Sequence, residues 1–222
     1  MPPLTENPWD KFAKDDPQFY ISSKSRWREE DAFWRSGEQT VAYIWDHVVT
    51  HLPQRRLAIE IGVGIGRLAV PIAKKFSRVK VVDASPFMLQ HLQETCARFG
   101  VCNFELFRDA DAWDTEPADF IYSALTFQHI EDPADIEEYI RRSARCLVGV
   151  AFFQFDTRPM TVGLRVRNHL PDWMLPKLHR RGIRRIRRRS EDIRAMFARH
   201  GLRIINELNP HSILHAFIVA KG

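Results

Sequence analysis

Three glycines follow an acidic residue at alternating positions, in the run Glu60-Ile-Gly62-Val-Gly64-Ile-Gly66. The run comes directly after an apolar segment that predicts a strand, and it opens a segment that predicts a helix. Glycines there let the chain turn sharply and let its backbone approach a ligand closely, while the helix presents free N–H groups. A GxGxxG dinucleotide-binding loop would need glycine at position 67, which is Arg67. The run therefore predicts a ligand-binding turn of another kind.

Two acids and a histidine follow the next three predicted strands. Asp83 ends a strand 17 residues after Gly66, and Asp109 follows the next strand. A carboxylate has enough acceptor pairs to take both hydroxyls of a diol, such as a ribose. His129 follows the fourth strand, and an imidazole titrates near neutral pH. His129 is therefore our candidate for a catalytic base, with helix capping or packing as the alternative.

Short apolar runs alternate with helix-like stretches from Leu57 onward, a pattern typical of a parallel sheet covered on both faces by helices. We predict seven strands, at Leu57–Ile61, Val79–Asp83, Asn103–Phe107, Phe120–Ala124, Val148–Phe155, Leu202–Leu208 and Leu214–Ala220. We predict helices near Ser36–Leu52, Gly66–Phe76, Pro86–Phe99, Pro133–Cys146 and Glu191–His200. The link between the last two strands is too short for a crossover helix, so that pair must be antiparallel. The predicted fold is an α/β, Rossmann-like, mostly parallel sheet that ends in an antiparallel hairpin.

The order and spacing of these motifs resemble class I S-adenosylmethionine (SAM) dependent methyltransferases. The resemblance covers roughly Leu57 to Cys146, and the strand pattern extends it to Gly222. It implies SAM as the cofactor and S-adenosylhomocysteine (SAH) as the product, with Asp83 binding the ribose hydroxyls and Asp109 the adenine amino group. It also implies the full set of cofactor-binding residues: Glu60, Gly62, Gly64, Gly66, Asp83, Ala84, Asp109, Ala110 and Ser123.

We predict a single methyltransferase domain over residues 1–222. Two of its segments lie outside the alternating pattern of strands and helices. Residues 1–52 are rich in aromatic side chains and predict an N-terminal helical cap, while residues 157–189 predict a basic, lid-like insertion. Trp27, Trp34 and Arg35 in the cap and Trp173 in the insertion are candidates to close over the sulfonium or the acceptor, because aromatic faces suit a cation. Packing within the cap is the alternative.

Positive charge is concentrated in one segment of the chain. The formal charge is +5, but residues 177–189 hold eight Lys or Arg and no acid. If this stretch is helical, Leu175, Leu178, Gly182 and Ile186 share one face. A basic amphipathic helix of this kind suits an anionic membrane surface or a phosphorylated acceptor, and a solvated lid without a partner is the alternative.

Composition sets further limits. No apolar run approaches the length of a spanning helix and the N-terminus does not resemble a signal peptide, so we expect a cytoplasmic protein, peripheral at the membrane if the basic segment binds there. The three cysteines have no CxxC spacing and predict free thiols. The histidines show no metal-ligand spacing, so we assign no metal.

We expect methyl transfer to a small or medium acceptor, at an oxygen of a glycan, a lipid-linked sugar or a secondary metabolite. One alternative is an RNA methyltransferase that docks through the arginine tract. Nucleic acid is the weaker interpretation because Ser123-Ala-Leu-Thr stands where enzymes that methylate exocyclic base amines carry an Asn/Asp-Pro-Pro-aromatic motif, and no cysteine follows a proline. Another alternative is a SAM-binding or membrane-binding module without catalysis.

Overall fold

The computed structural model describes residues 8–21, 30–168, 170–176, 179–180 and 183–222. Trp27 and four members of the basic segment, at positions 177, 178, 181 and 182, lie outside the described residues.

The seven predicted strands are present and form one sheet. They are Leu57–Ile61 (β1), Arg78–Asp83 (β2), Phe104–Arg108 (β3), Ala118–Ser123 (β4), Leu147–Phe155 (β5), Leu202–Leu208 (β6) and His215–Lys221 (β7). Their order is β3-β2-β1-β4-β5-β7-β6. Strands β1 to β5 pair in parallel, whereas β7 is antiparallel to both β5 and β6. The predicted fold class, including its C-terminal antiparallel hairpin, is confirmed.

Helices cover both faces of the sheet. The described helices are Pro8–Asp15 (α1), Pro17–Ile21 (α2), Glu30–Val48 (α3), Ala69–Ala73 (α4), Pro86–Phe99 (α5), Pro133–Cys146 (α6), Val162–Asn168 (α7) and Ser190–Arg199 (α8). Apolar side chains of α3, α4 and α5 pack on one face, and those of α6 and α8 on the other. No helix in the described residues is long and apolar enough to cross a bilayer.

The starts of α5 and α6 follow from local chemistry, as the sequence predicts. Each helix has proline at its first position, where the missing N–H leaves no bond unmade. Ser85 Oγ accepts a hydrogen bond from the Met88 N–H at 3.3 Å, and Asp132 Oδ1 accepts one from the Ala134 N–H at 2.8 Å. These caps fix the two turns that enter the helices from β2 and β4.

Two predicted helices differ from the structure. The helix predicted at Gly66–Phe76 is shorter in the structure, where it is α4, and it cannot begin at Gly66, whose φ of +91° lies outside the α-helical range. The conditional helix in the basic segment is wrong for residues 183–189, which form a turn and extended chain. There the Ile186 N–H donates to the Gln128 carbonyl at 2.7 Å and the Arg188 N–H to the Asp156 carbonyl at 2.9 Å. These bonds to other parts of the chain replace the intrahelical ones.

Helix α1 lies on α5 at the edge of the sheet where the parallel strands end. Ser85 Oγ donates a 2.7 Å hydrogen bond to Asp10 Oδ1, and His91 Nε2 lies 3.0 Å from the Ala13 carbonyl oxygen. The N-terminal helices are therefore held beside the turns that carry the predicted ligand-binding residues.

Candidate active site

A cavity of about 890 Å³ opens at the carboxyl edge of the sheet. It is formed by the turns that follow β1, β2, β3 and β4, as expected for ligand sites in open α/β folds. It brings together seven of the residues predicted from the sequence: Gly62, Gly64, Asp83, Ala84, Asp109, Ala110 and His129.

The glycine turn after β1 forms part of the cavity wall. Gly62 and Gly64 have φ values of +78° and +55°, which side chains rarely tolerate. A Cβ at Gly62 would lie 2.2 Å from Thr126 Cγ2, and one at Gly64 would lie 2.7 Å from Ile21 Cδ1. The turn therefore requires glycine for its backbone conformation and for the close approach of its neighbours.

Asp83 stands at the end of β2 with its carboxylate in the cavity wall. Its Oδ2 accepts the Gly64 N–H at 2.8 Å, and its Oδ1 accepts the Ser85 N–H at 2.9 Å. Each oxygen keeps a further acceptor pair, as a ribose diol requires. Burial raises the pKa of Asp83 to about 6, although the two N–H donors act in the opposite direction. The carboxylate is thus held in place and is ionised at neutral pH.

The turn after β3 presents Asp109 and Ala110 to the cavity and is held by Arg142 of α6, which also lines the cavity. Arg142 Nη1 donates to the Asp109 carbonyl at 2.6 Å, and Nη2 donates to the Asp111 carbonyl. Its guanidinium also bonds Asp114 Oδ1 at 2.8 Å. The sequence offered no signal for Arg142, because its role depends on contacts with a turn that lies about thirty residues earlier.

Asp114 is the charge partner that fixes this arginine. Its side chain is fully buried and also pairs with Arg145. Burial acts to raise the pKa of Asp114, but the hydrogen bonds and charges of Arg142 and Arg145 lower it overall. Arg142 also stacks over Trp113, with its guanidinium carbon 4.2 Å from the ring centroid. Asp114 and Trp113 therefore hold Arg142 in the position from which it bonds to the turn that carries Asp109.

Glu60, Gly66 and Ser123 lie behind the cavity wall rather than along it. Burial raises the pKa of Glu60 to about 8, and its Oε2 accepts a 2.6 Å hydrogen bond from the Tyr122 hydroxyl. Ser123 Oγ donates to the Ile61 carbonyl at 3.0 Å. In this geometry these residues support the glycine turn from within, and direct contact with a cofactor stays a prediction.

The turn after β4 forms the wall opposite Asp83 and contains a strained residue. Leu125 has a φ of +64°, an uncommon value outside glycine and one that tends to mark functional turns. Thr126 Oγ1 donates to the Gly62 carbonyl at 3.3 Å and so joins this turn to the glycine turn. The following 3₁₀ turn, Phe127–His129, places His129 in the cavity wall.

His129 is a neutral imidazole in this environment. Burial lowers its pKa to about 4, with a further contribution from the charge of Arg185, while backbone groups of Ile183 and Arg184 act in the opposite direction. The ring packs edge-on against Trp9, with 5.6 Å between the ring centroids. A neutral ring at a cavity wall has a nitrogen lone pair with which to accept a proton.

The aromatic residues at the cavity differ from those favoured by the sequence. Trp9, Tyr20 and Tyr139 line it. Among the predicted lid residues, Trp34 packs on Phe99 of α5 at 4.8 Å between centroids, Arg35 is exposed on α3, and Trp173 is 79% exposed in the insertion. The richness of the N-terminal segment in aromatics was visible in the sequence, but its packing decides which of them face the cavity.

The charge of the cavity suits a cation. Its wall carries five acidic side chains: Asp83, Asp109, Glu131, Asp135 and Glu138. Two of them are paired with arginines, Glu131 with Arg184 and Glu138 with Arg141. The arginine in the same wall, Arg142, is paired with Asp114. A sulfonium is favoured by such surroundings, and the Asp83 carboxylate and the side-chain-free glycine turn fit a ribose and its attached groups. In the described residues, no three His, Cys, Asp or Glu are grouped to hold a metal ion.

Comparison with known proteins agrees with this geometry. Residues 58–148 match the model of a family described as a methyltransferase domain. A search of curated protein sequences found no match.

Solved structures with the same fold include SAM-dependent enzymes. Magnesium protoporphyrin IX methyltransferase (ChlM) from Synechocystis PCC 6803 with bound SAH is 17% identical, with a TM-score of 0.65 over 96% of this chain and 98% of that chain. An S-adenosylmethionine-dependent methyltransferase from Clostridium acetobutylicum ATCC 824 is 14% identical, with a TM-score of 0.65 over 96% and 99% of the two chains. The mitomycin 7-O-methyltransferase MmcR is 20% identical, with a TM-score of 0.60 over 96% of this chain and 60% of that one. These likenesses show that this chain shares its fold with the three enzymes.

Proposed function

We propose that this chain, a class I SAM-dependent methyltransferase, transfers the methyl group to an oxygen of a small or medium acceptor such as a glycan, a lipid-linked sugar or a secondary metabolite. The observation that carries the proposal is the position of the His129 ring, which lies in the wall of the same cavity as Asp83. A hydroxyl that attacks a methyl group must lose its proton, and this imidazole is placed to accept it.

The bound cofactor supplies an electrophilic methyl group on a positively charged sulfur. Asp83 binds its ribose through the carboxylate that Gly64 and Ser85 hold in place. Asp109 binds the adenine from the turn that Arg142 anchors. With SAM bound there, the cofactor would supply the methyl group, and His129 would accept the proton that the acceptor hydroxyl loses. The protein's main contribution is alignment of the two reactants, which is worth several orders of magnitude in rate.

Exclusion of water is the second contribution, and two segments carry it in our proposal. Residues 1–52 act as a cap, supported by the lining contacts of Trp9, Tyr20 and Ile21. Residues 157–189 act as a lid, supported by the hydrogen bond between Ile186 and Gln128. Phe12, Tyr20 and Ile183 form one buried cluster, so cap and lid pack on each other beside the cavity.

An acceptor of moderate size fits these surroundings better than RNA. Several arginines of the tract bond to the protein itself: Arg188 to the Ile130 carbonyl at 2.6 Å, Arg184 to Glu131 at 3.3 Å, and Arg187 to the Pro159 carbonyl. These contacts leave less of the tract free for a phosphate backbone. An O-methyltransferase among the structures with this fold, MmcR, shows that the fold accommodates this chemistry.

The test is incubation of the purified protein with methyl-labelled SAM and an extract of its source organism, followed by separation of RNA, protein, lipid and small molecules. We expect base-stable label in the lipid or small-molecule fraction. A His129→Asn variant is the matched control and should lose the label while still binding SAM. Label in RNA would contradict the proposed class of acceptor. Label that is lost in an Asp83 variant but kept in His129→Asn would contradict the role of His129 as the base.

A further inference from the structure

Four large hydrophobic side chains are exposed in the insertion between β5 and α8. They are Met160, Val162, Trp173 and Met174, which we call the insertion surface, and they are four of the seven such residues exposed in the described chain. Val162 is 77% exposed and Trp173 79%. Exposed apolar side chains that are concentrated in one segment indicate a surface that binds a membrane or another protein.

The exposure is not caused by a lack of packing in this segment. Leu164, Leu175 and Ile183 of the same insertion are buried, and Ile183 packs on Phe12 and Tyr20 of the N-terminal helices. The insertion therefore buries one set of apolar residues against the protein and leaves a second set in solvent. Two such sets indicate a segment with an inner and an outer side.

The positive charge of the insertion indicates which kind of partner its exposed apolar side chains can bind. Residues 157–189 contain eleven arginines and lysines against a single acid, Asp172, although the whole chain carries only +5. Arg184 and Arg188 face inward and anchor the segment to the turn at residues 127–131. Arg180 is exposed and Arg189 is 76% exposed. The insertion thus carries exposed apolar side chains and exposed positive charge within one segment.

We propose that the insertion surface docks on a bilayer that contains anionic lipids. Trp and Met side chains enter the interfacial region, while lysine and arginine remain at the level of the negative headgroups. A soluble polyanion would engage the arginines and leave Trp173 and Val162 in water. A second copy of the chain would bring the same positive charge against this surface, which opposes self-association.

If the insertion surface docks on a bilayer, the position of the cavity relative to that surface determines where the acceptor comes from. The inward arginines join the C-terminal part of the insertion to the turn that carries His129, which lines the cavity. A docked enzyme therefore receives its acceptor from the bilayer, as an amphiphile whose polar group enters the cavity. This consequence rests on the proposed function, whereas membrane binding itself does not.

The first test is co-sedimentation of the full chain with sucrose-loaded vesicles, either phosphatidylcholine alone or phosphatidylcholine mixed with phosphatidylglycerol. We expect binding to the mixed vesicles, at least tenfold weaker binding to neutral ones, and a steep decrease with salt. Equal binding to both, or binding to neither, overturns the proposal.

Variants locate the surface. Trp173→Ser combined with Met174→Ser should weaken binding to the mixed vesicles at least tenfold, and Arg189→Gln about fivefold. Val148→Ser is the matched control, because Val148 is 50% exposed at the opposite edge of the sheet. Binding that is unchanged in the double variant, or reduced equally in the control, overturns the assignment.

Two measurements separate this proposal from its alternatives. SAM binding by calorimetry should be the same in the double variant and the wild type, because Trp173 and Met174 are exposed to solvent and are not among the residues that line the cavity. A loss of vesicle binding with intact SAM binding therefore isolates docking from the methyltransferase activity. Size-exclusion chromatography without vesicles should give a monomer. A dimer that the double variant dissociates, together with no vesicle binding, would assign the surface to self-association instead.

Discussion

Arg142 donates a 2.6 Å hydrogen bond from its Nη1 to the backbone carbonyl of Asp109, and so ties helix α6 to the turn that presents this acid to the cavity. The same guanidinium pairs with the buried Asp114 at 2.8 Å. One side chain therefore links a buried carboxylate, a binding turn and the helix behind the cavity. Its removal should affect both stability and cofactor binding, in ways that can be separated.

We expect Arg142→Lys to fold and to bind SAM about tenfold more weakly, with KM for SAM raised and kcat little changed. Lysine keeps a positive charge beside Asp114, but it lacks the planar fork that reaches both carbonyls of the turn. Arg142→Ala should in addition lose roughly 3 kcal/mol of unfolding free energy, because the buried carboxylate of Asp114 loses one of its charge partners. Calorimetric titration and urea unfolding measure the two effects.

The control for this prediction is Arg141→Ala, which removes an exposed arginine that bonds Glu138 on the same helix. It should leave both SAM affinity and stability near the wild-type values. Wild-type SAM affinity in a folded Arg142→Lys protein would show that the turn keeps its conformation without the guanidinium hydrogen bonds to its carbonyls.

The affinity for SAM should depend on the protonation of Asp83. Burial raises its pKa from 3.8 to about 6, so the carboxylate takes up a proton as the pH falls through about 6. The protonated form loses its charge and the acceptor capacity that a ribose diol requires. Below this pH we expect SAM affinity to fall up to tenfold per pH unit, as measured by calorimetry.

Asp83→Asn should bind SAM at least thirtyfold more weakly at neutral pH and lose this pH dependence, because its amide N–H₂ would face the Gly64 or Ser85 N–H donor. Asp46→Asn, at an exposed position of α3, is the control and should leave binding unchanged. A pH profile that survives in Asp83→Asn would assign the titration to another group.

The pH profile of kcat should distinguish His129 as a base. Burial lowers its pKa from 6.5 to about 4, so the ring is neutral throughout the range from about 5 to 8. We therefore expect kcat to rise as the pH increases through about 4 and to be level above about 5, rather than to rise near 6.5. Stopped assays with labelled SAM at saturating acceptor measure this.

His129→Asn should reduce kcat between 10²-fold and 10⁴-fold, the usual contribution of a general base, without changing the affinity for SAM. The matched control is His47→Asn on α3, where the side chain contacts its own helix. Wild-type turnover in His129→Asn would leave His129 as a packing residue against Trp9.

The hydrogen bond between Ser85 and Asp10 should slow the release of SAH. Ser85 Oγ lies 2.7 Å from Asp10 Oδ1 and so connects α1 to the residue that caps α5, two positions after Asp83. We expect Asp10→Ala to raise the SAH dissociation rate about fivefold, in line with the loss of roughly 1 kcal/mol of a charge-assisted bond. Stopped-flow tryptophan fluorescence follows the release.

A double-mutant cycle provides the control for this contact, since Ser85→Ala alone also removes the cap of α5. The effects of Asp10→Ala and Ser85→Ala should be less than additive in the double variant. Asp31→Ala, at an exposed position of α3, should not change the rate. Strict additivity would mean that the two side chains act independently.

The sequence determined the features that depend on neighbouring residues. Alternation of apolar runs and amphipathic stretches predicts the seven strands, and the prolines at Pro86 and Pro133 predict two helix starts that the structure confirms. The short link between the last two strands requires β6 and β7 to be antiparallel. The spacing of Gly62, Gly64 and Asp83 was sufficient to bring these residues to one cavity, since parallel strands all end at the same edge.

Only the tertiary structure decided what depends on contacts between distant segments. Whether Trp9 or Trp34 faces the cavity is set by how α1 and α3 pack on α5, and a local pattern carries no information on that choice. The basic residues 183–189 have a helix-compatible composition, but the N–H groups of Ile186 and Arg188 bond to the carbonyls of Gln128 and Asp156 instead. The low pKa of His129 likewise arises from burial by segments far away in the sequence, because burial and charge act through space rather than along the chain.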